Sequence, residues 1–439
     1  MGIAEDSLTT FSTRILSVCF GIISSIILAR VLGPGGKGAY ALIILIPVLL
    51  TKVGDLGVGI ANVYFIGKKK YNVSAIASNS LISAFVMGII LITFFLVLSG
   101  YLRNTFLKEI NPTYLLIVAC ALPFALLVSY FGAILLGENK IWKFNLVNIL
   151  HSGSLLGFLF ILLLVVKGGL FGATLSWMLS VIVAATGCIF LVRKLAKINL
   201  FLNFKLFRDS IKFGVKGYLG NVVQLLNYRL DMFFVNFFLG VTFVGYYSIA
   251  VLLAETLWYL PGSVGTVLFP KVSSIKPDMA NQLSPKICRN TLFITLLGSL
   301  LFFGLGKVVI LAAFGARFLP ALRPLQILLP GIVALSIPKV LSFDLTGRGK
   351  PLINTYAAAI SLGINIPLNL LLIPKWGING AAFASTVAYV VAAGIVLLAF
   401  LKISKNSLSD TIIIKTSDLK TYLYKFHKFR LFVQNQLKR

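Results

Sequence analysis

The sequence predicts an all-α polytopic membrane protein: about twelve transmembrane helices in two six-helix bundles related by a parallel repeat. Composition gives the membrane class. Of 439 residues, 58% are hydrophobic and 12% charged, against roughly 25% charge in a soluble domain; the mean hydropathy is +0.97. Apolar runs recur along the whole chain, each long enough at around 20 residues to cross a hydrocarbon core of about 30 Å. Strands of a membrane β-barrel would alternate polar and apolar residues in short segments instead. Internal similarity gives the repeat. LGPGGKGAY (residues 32–40) returns as LGVTFVGYY (239–247), LLGENK (135–140) as LTGRGK (345–350), and LLVVKGGLFGA (163–173) as LLIPKWGINGA (371–381). Three matches in order, at offsets of 207, 210 and 208 residues, mark two related halves.

Taken in order, the apolar runs place spans at about 11–32, 39–62, 78–100, 114–136, 144–166 and 170–192 in the first half. The second half has spans at about 213–238, 243–268, 290–311, 320–345, 352–373 and 377–401. Alternate loops then separate by charge. One side holds Lys68, Lys69, Lys70, Lys140, Lys143, the run from Arg193 to Lys212, and Lys271, Lys276, Lys286, Arg289, Arg348 and Lys350. The opposite loops carry only Lys37, Arg103, Lys108, Lys167, Lys307, Arg317 and Lys375. The positive-inside rule therefore puts both termini in the cytoplasm of a multi-pass inner-membrane protein.

This reading divides the chain into an N-terminal bundle (1–192), a basic cytoplasmic linker (193–212), a C-terminal bundle (213–401) and a basic cytoplasmic tail (402–439). With six spans each, both halves enter from the same side, and a site is expected between them. In the tail, Leu419, Tyr422, Leu423, Phe426, Phe429 and Val433 fall on one helical face among lysines and Arg430. That pattern suits an amphipathic helix on an anionic leaflet; a solvated terminus is the competing account.

The net charge of +28 belongs to the loops, and the chain has no nucleic-acid module. Cys19, Cys120, Cys188 and Cys288 stand singly, without metal or disulfide spacing. Two histidines, no phosphate-binding glycine loop and no exposed carboxylate pair leave no catalytic constellation, metal site or cofactor, so the chain does not read as an enzyme.

The informative residues are the polar ones inside spans, where charge is costly and faces a bundle interior or a wet cavity. Arg14, Ser17, Gly21 and Ser24 are spaced i, i+3, i+7, i+10 on the first helix; Asn221, Gln224, Tyr228 and Asp231 repeat that spacing on the seventh, 207 residues on. Each set forms a stripe on one face. Either the stripes face each other across a cavity, or the small members simply pack helix on helix; Arg14, Gln224 and Asp231 favour the cavity. Arg229, two residues before Asp231, is placed at the cavity edge or against a neighbouring helix. Glu255 lies about 18 Å into the eighth span at 1.5 Å per residue, as a proton-binding site or a partner for Arg229 or Arg14. Asp55, in KVGDLGVG (52–59), is an ion-coupling candidate, with a pair to Lys52 as the plainer account. His151 and Lys339 are weaker candidates: the first suits packing, and the second can snorkel.

On LARVLGPGGKGAYAL (28–42), GDLG (54–57) and LLIPKWGINGAAFAS (371–385), the chain resembles the polysaccharide-synthesis branch of the multidrug/oligosaccharidyl-lipid/polysaccharide exporter superfamily. The likeness extends over nearly the whole length. It implies a flippase for a polyprenyl-(pyro)phosphate-linked oligosaccharide of O-antigen or exopolysaccharide type, with two bundles opening alternately to either face. Arg14 and Arg229 would neutralise phosphates, Ser17 and Ser24 would line the cavity, and Asn221, Gln224 and Tyr228 would bond sugar hydroxyls. Protonation of Asp231 or Glu255 would bias the two states. A polysaccharide polymerase and export machinery are candidate partners. A drug or cation exporter of the same superfamily is the alternative, and a membrane glycan polymerase or glycosyltransferase a remote one.

Overall fold

The computed structural model describes residues 3–105 and 110–418, and all regular structure among them is helical. The helices are α1 (Ile3–Gly54), α2 (Val58–Gly67), α3 (Val73–Thr105), α4 (Pro112–Cys120), α5 (Leu122–Gly137), α6 (Ile141–Leu159) and α7 (Gly169–Arg193). The second half adds α8 (Phe204–Leu239), α9 (Val241–Thr256), α10 (Tyr259–Ser274), α11 (Pro277–Ala313), α12 (Leu322–Gly347), α13 (Leu352–Trp376), α14 (Ile378–Ser404) and the short α15 (Leu408–Ile412).

Twelve crossings follow from these. Among the described residues, nine stretches are long and apolar enough to span a membrane. The first, Ile15–Gly54, has 40 residues and turns at Gly33, so it counts twice. The pair α9 and α10, bent by 45° at its break, adds one. The 36 residues of α8 supply the last; its polar stripe is what keeps it out of a purely apolar count.

All three sequence echoes are echoes of backbone. Gly33 (φ 66°, ψ −176°) and Gly240 (φ 89°, ψ 172°) adopt the same conformation at the same repeat position, in a region open essentially to glycine alone. Asn139 (φ 54°) and Gly349 (φ 75°) are the left-handed residues of two matching helix ends. There Lys140 N–H donates to Leu135 O and Lys350 N–H to Leu345 O, both at 2.8 Å, the closing bond of a Schellman cap. Gly169 (φ 55°) and Gly377 (φ 60°) form the third pair.

The first repeat also makes a symmetric contact. A Cβ on Gly38 would lie 2.7 Å from Gly245 N and nearer still to Val241 O; a Cβ on Gly245 would lie 2.8 Å from Pro34 C and nearer to Pro34 O. Pro34 and Val241 are themselves repeat partners. The two turns thus cross backbone on backbone, which only glycine permits.

The apolar pattern of the second span continues across a break that it does not reveal. α1 ends at Gly54, and Leu56 (φ 50°) and Gly57 (φ 76°) re-aim the chain into α2. A Cβ on Gly57 would lie 2.6 Å from Gly214 Cα, so the GDLG turn rides directly on the backbone of α8.

Two compact units result. One comprises Met1–Ala250, Lys307–Pro324 and Leu362–Ala384; the other comprises Val251–Gly306, Leu325–Ser361 and Ser385–Arg439. In the first, α5 is the central helix, with Leu126, Leu127, Tyr130, Phe131, Ile134 and Leu135 fully buried. There the guanidinium of Arg30 donates to Ala313 O at 2.7 Å and also to Ala312 O, satisfying carbonyls at the end of α11 that the helix itself leaves open.

In the second unit, Leu268, Val272, Val340, Leu341, Leu345 and Phe400 form the core, with Ile412 of α15 packed against it. Asp344, fully buried, accepts from Ser284 Oγ at 2.5 Å and from Arg348 Nε at 2.6 Å. The tail begins with a clamp. Arg289 holds Asp418 through Nε (2.5 Å) and the second guanidinium nitrogen (3.1 Å), and donates to Asp410 O at 2.9 Å. The tail face from Leu419 to Val433 lies outside the described residues.

The Arg289 guanidinium beside Asp418 holds its carboxyl below the usual carboxylate range. A depressed pKa stabilises above the unfolded value of about 4 and loses that contribution as pH falls through the folded one. Residues 405–418 are therefore expected to resist protease from neutral pH down to about 4 and to open below it. Arg289→Gln is expected to open them already at neutral pH, read by limited proteolysis and mass spectrometry. Equal protection in the variant would rule out the clamp.

Candidate substrate and ion sites

The polar stripes lie on α1 and α8, which pack together within the first unit. On α1, Ser24 is buried and Ser17 half-buried, and neither hydroxyl has a hydrogen-bond partner. Gly21 between them has open space at its Cα. The Arg14 side chain lies outside the described residues. On α8, the stripe runs from exposed Asn221 through half-buried Gln224 and Tyr228 to Asp231, 1% exposed. Asp231 is fixed by the Tyr247 hydroxyl of α9, which donates to Oδ2 at 2.6 Å. Arg229, half-buried, reaches back to Tyr228 O at 3.4 Å.

The other two carboxylates differ. Asp55 sits inside the GDLG break, where Ser129 Oγ donates to Oδ2 at 2.5 Å and the Gly59 N–H to Oδ1 at 3.4 Å. Its hydrogen bonds go to these groups, and Lys52 is exposed; the carboxylate pins the broken span to α5. Glu255 is half-buried beside the end of α9, at the 45° break into α10. Two residues beyond that break's start, the Trp258 ring receives the Lys339 ammonium at 4.7 Å, so this lysine stays on an aromatic face.

Sequence reasoning missed several polar groups. Asn227 is fully buried one turn from Asp231 on the same helix; the i, i+4 spacing was its signal. Asn365 and Asn369, also fully buried, flank Pro367 on α13. Asn369 Nδ2 donates to Asn365 Oδ1 at 2.7 Å, leaving Asn365 Nδ2 and Asn369 Oδ1 without partners.

On the lysine-rich side, the start of α8 is tied to the first half. Lys70 Nζ (2.9 Å) and the Tyr71 hydroxyl (2.7 Å) both donate to Asp209, whose carboxyl they hold below its usual range. Tyr64 stacks on Phe213 at 4.3 Å. Asn79 and Asn203 exchange two hydrogen bonds, at 2.9 and 2.7 Å. A small polar cavity nearby, about 10 Å³ in volume, is lined by Asn62, Asn79, Ser80, Ser83 and Ser210 among others. That is room for about one water, far too little for an oligosaccharide.

A family model described as "Polysaccharide biosynthesis protein" matches residues 27–323. The chain belongs to this polysaccharide biosynthesis family. Among its relatives, an uncharacterised membrane protein of Methanocaldococcus jannaschii is 30% identical over 202 residues, covering 45% of the chain and 40% of that relative. A putative O-antigen transporter of Shigella flexneri is 23% identical over 426 residues, 90% of the chain and 96% of the relative. The lipid II flippase MurJ, in an inward closed conformation, shares the fold with TM-score 0.76 and 21% identity, covering 92% of the chain and 91% of MurJ. The likeness to MurJ is one of fold.

Proposed function

We propose that this family member is an alternating-access flippase carrying a polyprenyl-(pyro)phosphate-linked oligosaccharide from the cytoplasmic to the outer leaflet for cell-surface polysaccharide synthesis. The observation that carries the reading is a polar stripe on α8 that ends at Asp231, with Arg229 beside it on the same helix, inside a family fold whose full-length relative bears the name of an O-antigen transporter. Physics asks for such a face. A pyrophosphate and a glycan cannot cross hydrocarbon without polar partners, whereas the polyprenyl tail needs none. Arg14 and Arg229 neutralise the phosphates, best by paired guanidinium bonds. Asn221, Gln224 and Tyr228, with Ser17 and Ser24, take the sugar hydroxyls. The protein acts as a transporter rather than an enzyme, in the inner membrane with both termini cytoplasmic, and it hands its cargo to polymerase and export machinery.

Proteoliposomes containing a labelled polyprenyl-pyrophosphate oligosaccharide test this. The probe's access to an externally added glycan-modifying enzyme is followed with and without a pH gradient. Protein-dependent movement is expected, and Arg229→Ala and Arg14→Ala are each expected to lower it at least tenfold, about the value of one charge-assisted hydrogen bond or more. Movement of an organic cation, and of none of several glycolipids, would shift the function to drug export.

A further inference from the structure

We propose that Lys37, with Tyr40 and Ser24, forms an anion site for a lipid-borne phosphate at the end of the first half opposite the lysine-rich loops. The site rests on the flippase reading and adds a second phosphate station to Arg14 and Arg229.

Lys37 reads from sequence as a loop charge. In the fold it is only 8% exposed, because the turn carrying it is pressed between the two repeats by Gly38 and its contact on Val241 and Gly245. Among the described residues, the contact of its ammonium is the Tyr40 ring, at 5.8 Å. An ammonium supplies three donors and no acceptor. Keeping it buried without an anion is costly.

The repeat shows that this is a local choice and not a demand of the fold. Lys37, Tyr40 and Ser24 correspond to Val244, Tyr247 and Asp231 at the offset of 207 residues. In the second half, the Tyr247 hydroxyl donates to the Asp231 carboxylate at 2.6 Å, and Val244 is fully buried. The fold therefore accepts an apolar residue where Lys37 stands. In the first half, the carboxylate is replaced by Ser24, whose buried hydroxyl has no hydrogen-bond partner, and the apolar residue by an ammonium. What one half satisfies internally, the other leaves as donors awaiting an acceptor. A phosphate supplies several acceptor oxygens with the complementary charge.

The test is native mass spectrometry of the purified full chain titrated with a short-chain polyprenyl pyrophosphate, the matching polyprenol, and inorganic pyrophosphate. Lys37→Met removes the charge at a position where the other half carries valine, so folding is retained; Lys37→Arg keeps the charge. Lys37→Met is expected to weaken polyprenyl pyrophosphate by roughly tenfold or more, as for one charge-assisted hydrogen bond, to leave polyprenol unchanged, and to be rescued by arginine. Inorganic pyrophosphate weakened by the same factor would assign the site to free anions as well as lipid headgroups, which supports the anion site. Equal affinities for wild type and Lys37→Met, or an equal loss for polyprenol, would overturn it. The two readings fail separately. A wild-type protein that binds through Lys37 but moves no glycolipid defeats the flippase and keeps the site, whereas flux with no Lys37 dependence of binding defeats the site alone.

Discussion

Alanine at Gly38, or at Gly245, is expected to eliminate the folded protein: no monodisperse peak in fluorescence-detected size exclusion and no cooperative melt. Both positions put a Cβ against backbone of the other repeat, 2.7 Å from Gly245 N in one case and 2.8 Å from Pro34 C in the other. Overpacking costs roughly 1–3 kcal/mol where side chains can give way. Here the obstructing atoms belong to two turns already fixed by Gly33 and Gly240, so the cost falls at or above the top of that range. That is a large share of a total stability of about 5–15 kcal/mol. Gly394→Ala is the control, because a Cβ there meets nothing within 4 Å and alanine is the better helix former. If Gly38→Ala melted with its parent, the crossing of the two turns would not be a structural requirement.

The same glycines explain what could be read from sequence. The three repeats were legible because each is anchored by a residue in a conformation that side chains avoid, Gly33 with Gly240, Asn139 with Gly349, and Gly169 with Gly377, and such positions tolerate little change. The breaks at Gly54–Gly57 and at the end of α9 were not legible, because apolar residues continue through both and hydropathy is blind to direction. Asp55 has only Lys52, three positions away, as a partner that local spacing offers. Its hydrogen bond comes from Ser129, 74 residues away, and no local spacing announces a contact of that kind. The Arg289 clamp on Asp418 spans 129 residues and was hidden for the same reason. Lys37 illustrates the converse error: the sequence places it in a loop between spans, whereas it lies in the helix that resumes after the Gly33 turn, and its burial comes from a repeat-to-repeat contact that composition cannot express.

Asp231→Asn is expected to leave the protein folded and to abolish the response of flux to an ion gradient. Asparagine matches aspartate in size and keeps an oxygen for the Tyr247 hydroxyl, so the 2.6 Å bond retains an acceptor and the packing is undisturbed. What disappears is a negative charge that is 1% exposed in a polar stripe. Opposite charges 4 Å apart attract by about 4 kcal/mol at an effective dielectric near 20. Losing that attraction weakens a bound proton or metal cation by orders of magnitude, well beyond the tenfold that a flux assay resolves. Tyr247→Phe separates charge from position: it keeps the carboxylate and removes one of its donors, and is expected to shift the gradient dependence without erasing it. Asp55→Asn should instead lower the melting temperature, since that carboxylate holds a broken helix in place through Ser129 and Gly59. The measurement is glycolipid flux in proteoliposomes under imposed proton and sodium gradients for each variant. Should Asp231→Asn respond to both gradients as the parent does while Glu255→Gln responds to neither, coupling belongs to the bend between α9 and α10. The buried stripe carboxylate would then serve only to orient Tyr247.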